Sequence, residues 1–214
     1  MKILAIDGAF GTFSCAVRID ARVAAHERVA GGATLEGGLS AIHRALEISK
    51  LEGNDVDRIA VCTGPGSFTG LRIGISFAKS LAQGWHKPLV GVDAFDLLEV
   101  DVLEIPRVAI LNPRQGIVSA RLTAGPQQFR RSGSTASVCV WVAECSPERK
   151  LTAIGAPKDV LDGLGERGKL VHNLPAPEPA LALLELAKSR HPARSIHEVR
   201  PDYGELPAVR PYAE

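Results

Sequence analysis

The chain is poor in rings: of its 214 residues 5% are aromatic, with two tryptophans and two tyrosines. A surface that reads single-stranded nucleic acid by stacking needs more. An excess of one charge is also missing, since 25 Lys and Arg stand against 24 Asp and Glu. A protein whose main task is to grip phosphate backbones carries a basic patch. The densest basic spot here, Arg130-Arg131, reads as a solvated loop. No apolar run approaches the ~20 residues of a membrane span. Met1-Lys2 leads into only four apolar residues before Asp7, which is not a signal peptide. Cys15, Cys62, Cys139 and Cys145 form no C-x-x-C pair, and three of them sit in apolar runs where a free thiol behaves as a small hydrophobe. The expectation is a reduced, cytoplasmic protein without a membrane segment. No two of His26, His43, His86, His172, His191 and His197 stand four apart, so a helical histidine pair for a metal is lacking and no metal site is expected. Around Ser67, "GPGSFTG" lacks the second glycine of a nucleophile elbow.

What the chain does have is pattern. Ile3 to Ile6 form a short apolar run that ends at Asp7-Gly8. Phe13, Cys15, Val17 and Ile19 then alternate with Ser14, Ala16 and Arg18, the period of a half-buried strand. The short "DGAFGT" link predicts a hairpin. Residues 22–29 add a third strand, broken by Gly31-Gly32. Leu35, Leu39, Ile42 and Leu46 predict a helix over 35–49, widened by Ala41, Ala45 and Ile48. Strand 58–62, helix 69–83, strand "PLVGV" and a helix over 94–103 follow. The first hundred residues thus read β-β-β-α-β-α-β-α, a mixed sheet with helices on it. The second half is fainter. Strands are expected at 107–111, 116–123, 137–142, 151–154 and 169–172, with helices near 157–164 and 180–190. The tail from His191 has no periodicity, and no internal repeat is evident. A boundary near 101–106 divides the chain into 1–103 and a smaller, divergent 104–214, whose tail is expected to pack back on the first part.

The stretch "TGPGSFTGLRIG" at 63–74 joins a strand to a helix. Gly64 and Gly66 permit a positive φ, and Ser67 or Thr69 can cap the helix. The free N–H groups of such a helix start also suit a phosphate, but the loop has no G-K-[ST] and no dinucleotide register. On the helix, Gly70, Gly74, Ala78 and Ala82 recur every fourth residue. Glycine inside a helix costs about 1 kcal/mol relative to alanine, so Gly74 predicts a close backbone approach. Leu71, Ile73, Ile75, Phe77 and Leu81 make a second apolar face. One face packs on the sheet; the other packs on helix 35–49 or on another chain.

These residues carry a resemblance. "GPGSFTGLRIG", together with "ILAIDG", "DVDRIAVCTGPGSFTGLRIGISFAKSLAQ", "PLVGVDAFDLL" and "PDYGE" in the same order, resembles the TsaB (YeaZ) family, strongly over residues 1–100 and faintly beyond. The resemblance implies an actin-like ATPase (ASKHA, ribonuclease H-like) α/β fold in two lobes. It also implies a non-catalytic partner of TsaD, which forms N6-threonylcarbamoyladenosine at position 37 of tRNAs reading codons that start with A. The implied partners are TsaD as a heterodimer, the ATPase TsaE, a second copy of the chain as a homodimer, and tRNA indirectly. No cofactor is required on this reading, with ATP or ADP expected, if anywhere, at the complex interface. The implied docking residues are Leu35, Leu39, Ile42, Leu46, Gly70, Arg72, Ile73, Gly74, Phe77, Ala78 and Leu81. A vestigial phosphate site falls on Asp7, Gly8, Gly64, Gly66, Ser67 and Thr69. The family's Asp-Thr-Ser is replaced here by Asp7-Gly8-Ala9, followed by Phe10, which would intrude on a phosphate. Asn112-Pro113-Arg114 stands where Asp-Ala-Arg is common. The rival reading is a small-molecule kinase of the same fold using Asp7, against which stands the short length. Direct tRNA contact, through Arg72, Lys79 or the tail arginines, is a third.

Overall fold

The computed structural model describes residues 1–29 and 34–204, without the side chains of 34–36 and of Arg114. The Gly31-Gly32 break, the side chain of Leu35 and the last residue of "PDYGE" fall outside these. Strands β1 (Lys2–Asp7), β2 (Phe13–Ile19), β3 (Arg22–Val29), β4 (Arg58–Gly64) and β5 (Leu89–Asp93) form one sheet in the order β3-β2-β1-β4-β5. The hairpin strands are antiparallel, and β4 and β5 join in parallel through crossover helices. Helices α1 (Thr34–Ser49), α2 (Phe68–Gly84) and α3 (Ala94–Leu98) belong to this half. The second sheet has β6 (Arg107–Arg114), β7 (Ile117–Ala124), β8 (Gln127–Gly133), β9 (Lys150–Ile154) and β10 (Leu170–Leu174), in the order β10-β9-β6-β7-β8. Its helices are α4 (Thr135–Cys145), α5 (Lys158–Gly165) and α6 (Pro179–Leu186).

Taken from β8, the second sheet repeats the first: third strand, second, first, fourth, fifth. The chain is therefore a topological repeat of β-β-β-α-β-α-β-α, which corrects the expectation of no repeat. Similar apolar patterning with different residues can rebuild the same layers, so a repeat of topology does not need a repeat of residues. The halves are cross-packed. Helices α1 and α2 rest on the first sheet, and α6, from the end of the second half, packs on β1, β2 and β4. With helices on both faces, β1 needs no polar side, which is why Ile3 to Ile6 run unbroken and are fully buried. A second core joins Val108, Ile110, Val118 and Leu122 to Val138, Val142, Val160 and Leu164. The opposite face of β7 is buried but polar: Ser119, Arg121 and Thr123. Beyond α6 the chain runs along the first sheet, where Ala193 N–H donates to Leu89 O and Asp202 N–H to Thr63 O.

Three expectations fail locally. Residues 137–142 are part of helix α4, not a strand. Ser134 caps the helix by accepting from Ser137 N–H at 3.3 Å, and Val138, Cys139 and Val142 fall on its buried face. The β-branched run favours a strand, and packing on the second core overrides it. Arg130 and Arg131 belong to the edge strand β8 rather than a loop; its side chains are mostly exposed, so no alternation marks it. Helix 94–103 stops at Leu98. Among the described residues no helix is long and apolar enough to cross a membrane.

Candidate functional site

The glycine loop is the hub of the first half. Strand β4 ends at Gly64 with φ +107°, which glycine tolerates, and the following bond to Pro65 is cis. Ser67 caps α2, its Oγ accepting from Gly70 N–H at 3.3 Å, while its own N–H donates to Ala9 O at 2.7 Å. The β1–β2 turn thus lies against the first two turns of α2. A Cβ on Gly70 would stand 1.9 Å from Gly8 O, and one on Gly8 would stand 2.2 Å from Gly70 O. At Gly74 the contact is ordinary, with Gly8 of the same chain 3.4 Å from the Cβ position, so the approach that excludes a side chain is at Gly70 rather than Gly74.

This geometry decides the phosphate candidates. The fold does bring Asp7, Gly8, Gly64, Gly66 and Ser67 together. However, Asp7, Gly8, Gly64 and Gly66 are buried, Ser67 is spent on the cap, and Thr69 points to solvent. Ala9 O sits 2.5 Å from where a Gly66 Cβ would be, and the Asp202 carbonyl 2.1 Å from that of Gly64. The chain's own turn and tail thus pack on both glycines, while a cavity lined by Pro65, Phe95, Arg130, Ser132 and Asp202 opens beside the loop. Of the six phosphate candidates Thr69 is the exposed one, and the backbones of Gly8, Gly64 and Gly66 are packed against the chain itself. Asp7 Oδ1 accepts from Ala9 N–H at 3.1 Å, whereas Oδ2 has no hydrogen-bond partner among the described residues. Burial raises this carboxyl to about 7 against the pull of the turn's N–H groups. Burial and then the neighbouring Asp7 push the Cys62 thiol well above its ordinary range, which disfavours the thiolate. Among the described residues no three His, Cys, Asp or Glu side chains gather as a metal site.

The docking candidates separate by burial. Ile42, Leu46, Gly74 and Ala78 are buried within the chain, and these four assignments are corrected: they form the contact of α1 and α2 with the sheet and the β1–β2 turn. Leu39 and Arg72 are exposed, and Gly70, Ile73, Phe77 and Leu81 are half-buried. Phe77 meets Phe13 edge-on, with ring centroids 6.0 Å apart. Gly38 lets α1 pass close to this pair, because a Cβ there would reach 2.7 Å from Phe77. Large apolar side chains remain uncovered on the two helices: Leu39 is 50% exposed, Ile48 57% and Phe68 52%. One cluster has no counterpart in the sequence reading. The Arg72 guanidinium lies 4.0 Å above the Phe68 ring, Phe68 stacks on Tyr203 at 4.8 Å, and Arg72 Nε donates to the Tyr203 hydroxyl at 3.2 Å. The "PDYG" segment is therefore part of the start of α2. Its only sequence signal is the motif itself.

Two sheets of one topology, joined by α6 packing back on the first, with a strand–glycine loop–helix element in the first half, define an actin-like fold. Solved structures bear this out at the level of fold. YeaZ from Pseudomonas aeruginosa superposes with a TM-score of 0.70 at 19% identity, covering 94% of this chain and 99% of that one. A Bacteroides thetaiotaomicron protein described as having an actin-like ATPase fold and unknown function reaches 0.56 at 9% identity, covering 86% and 95%. Residues 30–179 match the family model described as "TsaD: tRNA N6-adenosine threonylcarbamoyltransferase", and the chain belongs to that family. Within it the chain is similar to the tRNA threonylcarbamoyladenosine biosynthesis protein TsaB of Escherichia coli, 39% identical over 92 residues, or 43% of this chain and 40% of that protein. The chain spans about two fifths of the length of the curated TsaB relatives it matches.

Proposed function

We propose that this chain is a non-catalytic subunit in threonylcarbamoylation of tRNA adenosine, docking on a TsaD-type paralogue through the exposed parts of α1 and α2. The observation that carries the reading is the uncovered apolar side chains Leu39, Ile48 and Phe68 on two helices whose other faces are already packed. Leu39 and Ile48, nine residues apart, flank the buried side of α1, and exposed apolar side chains of this size suit a protein surface rather than a small-molecule site. Arg72, held flat on Phe68 and lacking a carboxylate partner among the described residues, is the type of residue that anchors such an interface. Similarity to TsaB relatives supports the choice of process and partner. On this reading TsaE joins the pair, tRNA is met through the assembly, any ATP or ADP sits at the boundary between subunits, and the free chain can pair with itself through the same helices.

The test is co-elution with the TsaD-type paralogue of the same source, measured by size exclusion with light scattering. Wild type is expected to give a stable 1:1 complex, and Leu39→Asp to lose it while melting within a few degrees of wild type. Ala78→Asp is expected to unfold the chain, because the side chain it replaces has no exposed surface. A Leu39→Asp variant that co-elutes as wild type does would refute the face.

A further inference from the structure

The boundary between the two halves holds a charge cluster that docking through α1 and α2 does not use. Three carboxylates come from the first half, at the end of β5 and on and just after α3: Asp93, Asp96 and Glu99. Arginines from the second half close on them. Arg121, on the polar face of β7, donates from Nε to Glu99 at 2.8 Å and from a terminal nitrogen to Asp96 at 2.5 Å. Arg107 on β6 reaches Glu99 at 2.6 Å, and the Thr123 hydroxyl lies 3.4 Å from the same carboxylate. Arg190, just beyond α6, pairs with Asp96, and Arg130 of β8 with Asp93 at 2.9 Å. The centre is dry: the Arg121 side chain is 3% exposed and that of Glu99 4%.

A cluster of this kind does not drive the halves together efficiently. Desolvating the ions offsets most of the attraction, and an apolar boundary of the same size would be at least as stable. What it gives is direction. Each arginine fork fits its carboxylates in one relative placement of the sheets, and sliding would leave buried charges without partners. The titration of Asp96 agrees: burial pushes it up, but the bonds and charges of Arg121 and Arg190 outweigh this and hold it below its ordinary value. The partners also sit on the elements that would have to move. Helix α3 leads from the first sheet to the second, and Arg190 follows the helix that crosses back.

We propose that the Asp93, Asp96, Glu99 and arginine cluster is an interlobe lock, holding the two halves at one fixed angle so that the chain works as a rigid body. Paired lobes joined by a polar boundary are otherwise expected to move against each other. The lock concerns motion between the sheets and stands or falls independently of what docks on α1 and α2.

The test measures that motion directly. Spin labels at Ser40→Cys on α1 and Glu166→Cys after α5, both exposed positions, are placed in a Cys145→Ser background, because the other three cysteines are buried. Electron–electron distance measurement on the otherwise wild-type chain is expected to give one narrow distribution. Arg121→Met, which removes the charge and keeps most of the volume, is expected to broaden it at least twofold. Amide exchange should rise at least tenfold in 94–99 and 119–123, with α1 and the second core unchanged. A broad distribution in the wild-type background overturns the lock without any variant. A folded Arg121→Met chain that melts earlier but keeps the narrow distance also overturns it, leaving the cluster a matter of stability alone. Should Arg121→Met not fold, Arg107→Met, at the rim of the cluster, carries the same comparison: a broadened distribution supports the lock and an unchanged one overturns it.

Discussion

Asp7, at the β1–β2 turn, has one oxygen bonded and the other without a hydrogen-bond partner among the described residues. Its ordinary value is 3.8 and burial lifts it to about 7. The unfolded chain therefore releases this proton near pH 4, while the folded chain holds it until near pH 7. Between those values the native state binds more protons, so stability falls as pH rises, by about 4 kcal/mol in all for a shift of roughly three units. Asp7→Asn is expected to remove that loss and flatten the difference profile, read from urea midpoints between pH 4 and 8; a variant whose profile keeps the wild-type slope would show that Asp7 is ionised in the fold. The sequence announces Asp7 as a polar residue ending an apolar strand, and from that alone it reads as a working carboxylate. Its isolation is visible only with the turn folded onto α2.

Helix α2 shows what local pattern can and cannot say. The four-residue spacing of Gly70, Gly74, Ala78 and Ala82 states that something comes close, and that much is legible. Which element comes close is a question of tertiary placement, and the answer is the β1–β2 turn rather than another chain. Gly70→Ala puts a methyl into the Gly8 carbonyl, where backbone has no room to yield. It is expected to cost about 3 kcal/mol or more. Gly84→Ala, at the end of the same helix with nothing within 4 Å of its Cβ position, is expected to add about 0.5–1 kcal/mol. Guanidinium unfolding of the two variants checks both signs. Helix α4 fails in the other direction. Its run of Val138, Val140 and Val142 has strand-like residues at strand-like spacing, and only the cap at Ser134 and the core beneath it select the helix. Strand β8 escapes notice because an exposed edge strand carries no apolar alternation to detect.

At the scale of the whole chain the two halves are bound by exchange: α6 closes the first sheet, and α3 with its two flanking residues supplies the carboxylates that meet the second. Trp85 packs on Gly53 in the first half and Trp141 against the second core, so each half owns one reporter. Trp85→Phe and Trp141→Phe variants, each leaving a single fluorophore, are expected to unfold in urea at the same midpoint after correction for the variant's own stability. Two separated midpoints would mean that the halves fold independently. The sequence by itself determined the strand and helix order of the first hundred residues, their mixed α/β sheet and the glycine-loop motif, because these rest on periodicity and turn chemistry within short windows; the actin-like fold class came from the resemblance those motifs carry. Tertiary structure alone decided that the second half repeats the first, that the β1–β2 turn and the tail pack on the glycine loop, and which faces of α1 and α2 stay open. Each of those depends on contacts between residues far apart in the chain, such as Gly8 with Gly70, Asp202 with Thr63 and Glu99 with Arg121, and no window of sequence contains both partners.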